Sequence, residues 1–182
     1  MKKNYTLFAL AALSVTLGLG AQRASADDTK NTEASVVVNA GELNIKSADA
    51  IQFKAITIDG TSHDVTEKDG TSAKVSLEDF RGSSSKGWTL KAKLKSGDFN
   101  GLGLKFAPSV LSNASSATAA SETSNMNTQE ALIASVSDDK IPDTEFDTSI
   151  QLNSKLNVPA KTKANTYTTT IVWNLAATPE TK

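Results

Sequence analysis

The chain contains no cysteine, and that absence removes several possibilities at once. No disulfide can staple the fold, so a secreted form must be held together by its core alone. No thiol is available as a nucleophile or a zinc ligand. No lipid can be attached to a cysteine behind a leader. Histidine is nearly as scarce, with His63 the only one. A Ser-His-Asp triad has a single candidate base, and His63-Asp64 stands in a polar, turn-like stretch where a solvated side chain is expected. No histidine cluster exists for zinc. Neither charge sign dominates: 19 basic residues face 20 acidic ones. Without a basic stripe there is no footprint for nucleic acid. These absences point to a non-catalytic protein with no cofactor, no metal and no nucleic-acid partner.

The first residues read as a secretory signal. Lys2 and Lys3 form a positive start, Leu7 to Leu19 is an uncharged apolar run, and Ala24-Ser25-Ala26 is an A-x-A cleavage site. The run is too short for a membrane span, which takes about 20 apolar residues. Residues 1–26 are therefore expected to be a cleaved signal peptide, with Asp27 starting the mature chain. Loss of Lys2, Lys3 and Arg23 leaves 16 basic against 20 acidic residues, a formal charge of −4. The mature length of 156 residues suits one domain that buries about 70% of its unfolded surface. The last residues, Ala177-Thr-Pro-Glu-Thr-Lys182, carry no hydrophobic tail and no sortase-type motif. Any attachment to a surface is expected to be non-covalent.

Residues 27–34 are polar and read as a flexible lead-in to a domain over 35–182. From there the apolar residues recur with a period of two. Val36 and Val38 open the series, followed by Leu43 and Ile45. Ile51, Phe53 and Ala55 alternate, and the phase then shifts to Ile56 and Ile58, the mark of a bulge or break. Asp59-Gly60 and Asp69-Gly70 are turn signals. Val75 and Leu77 begin another strand. Trp88, Leu90, Ala92 and Leu94 share one face of the next, with Thr89, Lys91, Lys93 and Lys95 on the other. Leu102, Leu104 and Phe106 follow, with Gly101 and Gly103 opposite. Residues 112–127 are small and polar and read as a long surface loop. Residues 128–137 fit a short helix or a strand. Phe146, Thr148, Ile150 and Leu152 share a face, then Leu156 and Val158 precede Pro159. The last strand places Tyr167, Thr169, Ile171, Trp173 and Leu175 together, and Val172 suggests partial cover on its second face. About eight short strands and no 3.6-residue pattern predict an all-β, Greek-key-like sandwich.

Aromatic residues make up only 5% of the chain, so its two tryptophans stand out. Each sits two positions before a leucine, Trp88 before Leu90 and Trp173 before Leu175, and so on the same strand face. Two roles compete for them. An indole face can stack on a sugar ring, while continuation of an apolar strand face argues for core packing. Lys91, Lys93 and Lys95 form a basic ladder that could meet anionic wall polymers such as teichoic acids, or simply keep a strand face soluble. Asp143, Glu145 and Asp147 alternate like the start of a calcium loop. The pattern then fails at Thr148, where glycine is needed, and at Ser154, where glutamate is needed. A solvated strand face explains them better. Acid pairs for glycoside hydrolysis leave no trace in a linear sequence.

These residues resemble the WxL family of Gram-positive surface proteins. The similarity covers Gly41-Glu-Leu43, Asp79-Phe80-Arg81-Gly82 leading into Gly87-Trp88-Thr89-Leu90, and the terminal Tyr167-Thr-Thr-Thr-Ile-Val-Trp173-Asn174-Leu175 with Pro179. One W-x-L tripeptide is a weak signal; two, with D-x-R-G before one and tyrosine six residues before the other, are far more specific. The chain departs from the family where Asn165-Thr166 replaces a glycine before Tyr167, although Asn also tolerates turn geometry. The resemblance implies secretion and non-covalent attachment to cell-wall peptidoglycan at the cell surface. It also implies a surface complex with other WxL proteins and a membrane-anchored WxL-interacting protein. The motif core would be Trp88, Leu90, Trp173, Leu175, Asp79, Arg81 and Tyr167. A second reading is a secreted fibre or matrix subunit, similar in build to TasA-like β-sandwich proteins, in which Val36-Val37-Val38 acts as a donor strand.

Overall fold

Most of the period-two patterning becomes strands in the computed structural model, which describes residues 30, 32–82, 86–111, 116–138 and 146–177. Residues 1–26, the expected signal peptide, the Ser-rich stretch 83–85, Asp143, Glu145 and Pro179 lie outside the described residues. The chain divides into units 1–37 and 38–182. The described residues of the first unit are exposed and form no regular element.

The described residues of the second unit form eleven strands. They are β1 (Leu43–Ala48), β2 (His63–Thr66), β3 (Lys74–Asp79), β4 (Trp88–Leu94), β5 (Gly103–Lys105) and β6 (Ser109–Val110), then β7 (Thr118–Ala119), β8 (Ala131–Val136), β9 (Asp147–Gln151), β10 (Lys155–Val158) and β11 (Ile171–Ala177). Among the described residues the one helical element is a 3-10 turn, Lys68–Gly70. Every strand pair is antiparallel. The sheets run β1-β3-β9-β6, β2-β10-β5 and β11-β4-β8-β7. The first two are one bent sheet: β2 leads into β3, β5 into β6 and β9 into β10, and all three breaks fall at one level. Counting each bent pair once gives eight strands. The fold is the expected all-β sandwich, with β1 near β11 at one side and β6 near β7 at the other.

A buried carboxylate splices the bend. Glu67 Oε2 accepts a hydrogen bond from Ala73 N at 2.6 Å, and Oε1 accepts one from Ser154 N at 2.7 Å. Asn153 sits beside it in the left-handed region, φ 48°, which Asn adopts more readily than most residues. Its Nδ2 donates to Ala107 O and Ser109 Oγ. Ladder hydrogen bonds lost at the break are thus replaced by side chains, as buried backbone groups require. Between the sheets lies a single apolar cluster that includes Val75, Leu77, Leu90, Leu104, Phe106 and Ile150, each 2% exposed or less. Full burial of such a side chain contributes about 1.5–3 kcal/mol.

Several expectations change on inspection. Val36, Val37 and Val38 are 84–86% exposed and form no strand. Residues 51–58 contribute one isolated bridge, Phe53 with Glu67, and leave Ile56 and Ile58 exposed. His63 begins β2 rather than sitting in a turn. Residues 128–137 resolve into β8, where a bulge beside Leu90 turns both Ile133 and Ala134 inward. Within 112–127, residues 112–115 lie outside the described residues. The remainder carries β7, buries Met126 and gives Thr123 Oγ1 as acceptor for Phe106 N. Val172 is 36% exposed, so the outer face of β11 is partly covered at that point.

Candidate functional site

The two tryptophan strands are neighbours. β11 pairs with β4 so that Leu175 lies opposite Leu90, Trp173 opposite Ala92 and Ala177 opposite Trp88. Directly opposed residues share a sheet face, so both tripeptides point into the sandwich together. Each indole faces an alanine, which leaves room for the ring. Their environments differ, however. Trp88 is 3% exposed and Leu90 fully buried, whereas Trp173 and Leu175 are only partly covered. β4 has the second strand β8 on its far side, while β11 is an edge strand. Trp173 stacks on buried Phe106, with centroids 6.1 Å apart and planes at 21°. Tyr167, ahead of β11, donates its hydroxyl to Lys163 O at 2.7 Å.

Asp79 and Arg81 stand at the opposite end of the sandwich, where β3 leaves for β4. Arg81 Nε and Nη2 grip the two carboxylate oxygens of Asp79 at 2.8 and 2.7 Å. Gly82 then takes φ +83°, which favours glycine. At the start of β4 a side chain on Gly87 would collide with the carbonyl of Val136. D-x-R-G and the glycine before Trp88 therefore build the corner that carries the chain from one sheet to the other. They do not converge with Trp173 and Tyr167.

The lysine ladder lines the outer face of β4. Lys91 and Lys93 both approach Glu130, at 3.6 and 3.8 Å, and Glu130 also accepts from Asn174 Nδ2. That hydrogen bond, and then the two ammonium groups, hold the Glu130 carboxyl below its usual range. Two of the three lysines are thus partly neutralised. Lys95 has no ion-pair partner among the described residues. It borders a polar cleft of about 490 Å³ formed with Asp98, Asn100 and Thr168–Thr170. The same threonines separate this cleft from a larger apolar groove of about 1340 Å³. Trp173, Phe53, Leu104 and Leu156 lie in that groove, with Tyr167 and Ile58 on its walls.

Other candidates are placed plainly. His63 Nε2 lies 2.9 Å from Asp59 Oδ1, which also accepts from the hydroxyl and amide of Thr61. Those bonds, Thr61 first, lower the Asp59 carboxyl to about 2. Asp147 starts β9 and reaches Lys46 at 3.4 Å. Among the described residues no three His, Cys, Asp or Glu side chains converge to hold a metal, and no helix is long and apolar enough to cross a membrane. Sequence reasoning missed the cleft and the groove. Asn100 and Thr168–Thr170 are individually unremarkable polar residues about seventy positions apart, and only the β4–β11 pairing joins them.

A family model described as "WxL domain surface cell wall-binding" matches residues 24–179. The chain belongs to the WxL family. By its description, that family is one of surface, cell-wall-binding domains. No curated protein matches. Among solved structures, one similar chain comes from work described as "Chaperone-tip adhesin complex is vital for synergistic activation of CFA/I fimbriae biogenesis". The two share 11% identity over 78% of this chain, with a TM-score of 0.42, and the WxL domain spans 42% of that chain.

Proposed function

We propose that this WxL domain is exported, catalyses nothing, and holds non-covalently to peptidoglycan. It does so in company with other WxL proteins and a membrane-anchored WxL-interacting protein. The polar cleft at Lys95 carries this reading. Wall polymers are dense in hydroxyl, amide and anionic groups, and recognition of them calls for an open surface of hydrogen-bonding side chains with a free cation. Lys95, Asn100 and Thr168–Thr170 supply such a surface. Trp88 and Leu90, on the buried face of β4, act on wall binding through the fold.

The test is co-sedimentation with purified Gram-positive sacculi, with and without teichoic acids. The wild type is expected to pellet with stripped sacculi. Lys95→Glu is expected to stay folded and lose most of that retention. A wild type left in the supernatant would show that a protein partner, and not the wall itself, holds the domain at the surface.

A further inference from the structure

The apolar groove lies where the sandwich lacks a strand. On one side, β11 pairs with β4 alone, and its outer edge makes no backbone hydrogen bond to any described residue. On the other side, Gln52 and Lys54 are tied to the β2 side through Lys68 N and Thr66 O, but residues 55–58 carry no such bond. Between them a groove reaches down to the core, lined by partly buried Trp173 and by buried Leu156. An unpaired edge above exposed core is a template for an added strand.

The same chain carries a segment of matching pattern. Ala34, Val36, Val38 and Ala40 alternate with Ser35, Val37, Asn39 and Gly41. In a strand the first set would form one small apolar face. All of 34–40 is exposed, and the three valines are 84–86% so. Among the described residues, the three valines are about twice as exposed as the next large aliphatic side chain, Leu111 at 46%. Seven residues at about 3.3 Å each match the length of the unpaired edge of β11, Ile171–Ala177, also seven residues. Small side chains suit a groove already floored by Trp173 and Leu104. Gly41, which follows the segment, bonds to Phe80 at the end of β1 remote from Ala48, where the groove begins.

We infer that residues 34–40 of one copy insert as a strand beside β11 of a second copy, so that the domain assembles head to tail. The interface is heterologous, so it does not close on itself and generates chains of variable length. This inference does not depend on the wall reading and is tested without any wall material.

The experiment is sedimentation velocity over a wide concentration range, on the native protein and on V36D/V38D. Both substituted positions are exposed, so the variant is expected to fold. The native protein is expected to give a ladder of oligomers, and the variant a monomer whose melting temperature equals that of the native protein diluted until it too is monomeric. A synthetic peptide of residues 32–42 is expected to shorten the native ladder and to raise the melting temperature of the monomeric variant by several degrees. A native protein that stays monomeric throughout overturns the inference, as does a ladder that persists in V36D/V38D. Failure of the peptide to bind the monomer also overturns it. Loss of variant stability in a monomeric background would place the segment in its own groove, and that too refutes exchange between copies.

Discussion

A tryptophan two residues before a leucine occurs twice, but the two indoles do different physical work. Trp88 is enclosed between β11 and β8, and its truncation leaves a cavity that the surrounding sheet can only partly fill. Trp88→Ala is expected to cost about 3–5 kcal/mol in urea unfolding. Trp173→Ala, at an edge and open to the groove, is expected to cost distinctly less. Equal losses would contradict the assignment of Trp88 to the core and Trp173 to its margin. Asp59 permits a second residue-level prediction. Its carboxyl is lowered from 3.8 to about 2 by Thr61 and then His63. A lowered folded-state value stabilises the charged form. The contribution is therefore complete above about pH 4 and is lost as pH falls through about 2. An NMR titration should show the Thr61 amide shift changing with a midpoint near pH 2. A midpoint at the ordinary carboxylate value would mean that the Asp59–Thr61 turn does not persist in solution.

At the scale of elements, the bend in the large sheet rests on one acid. Glu67→Ala would leave the amides of Ala73 and Ser154 buried without an acceptor, at about 1–3 kcal/mol each. Glu67→Gln keeps one carbonyl oxygen and should fall between wild type and alanine in urea unfolding. If Glu67→Ala were neutral, the splice would be incidental. Gly87→Ala should cost about 1–3 kcal/mol, because the new methyl meets the Val136 backbone and not a movable side chain. None of this was readable along the chain. The faces of strands were: Trp88, Leu90, Ala92 and Leu94 alternate in sequence and alternate in burial, and so do Ile171, Trp173 and Leu175. A period of two fixes which side chains share a face but not which strand lies alongside. Hence Val36–Val38 and Ile51–Ile58 read as strands on the same footing as β4, although no described residue pairs with the first and the second makes only the bridge of Phe53 to Glu67. Glu67, set in Thr-Glu-Lys-Asp-Gly, looks like a solvated turn residue until Ser154, 87 positions away, is brought to it. Met126 was hidden for the opposite reason, as one apolar residue in a polar, small-residue stretch that nonetheless crosses the core. The candidate cleft was legible only through Lys95, since its other side comes from the far end of the chain.

For the whole molecule, the cleft and the groove share a wall at Thr168–Thr170, and the occupants proposed for them differ, a polar wall polymer for one and an apolar strand for the other. The two sites therefore multiply each other without needing a direct coupling. A single cleft engages the wall once; a head-to-tail chain of domains presents many clefts, and each bound domain raises the effective concentration of the next. Such avidity commonly exceeds single-site affinity by about 10²–10⁴. V36D/V38D should therefore still pellet with sacculi at high protein concentration but wash off far faster than wild type. Lys95→Glu should assemble normally in solution yet fail to pellet. The decisive comparison is the rate of release from sacculi after dilution, measured for wild type and V36D/V38D at equal initial loading. Equal release rates would mean that assembly contributes nothing to wall retention. A tenfold or greater slowing in the wild type would make polymerisation the means by which a weak, non-covalent cleft becomes a durable attachment.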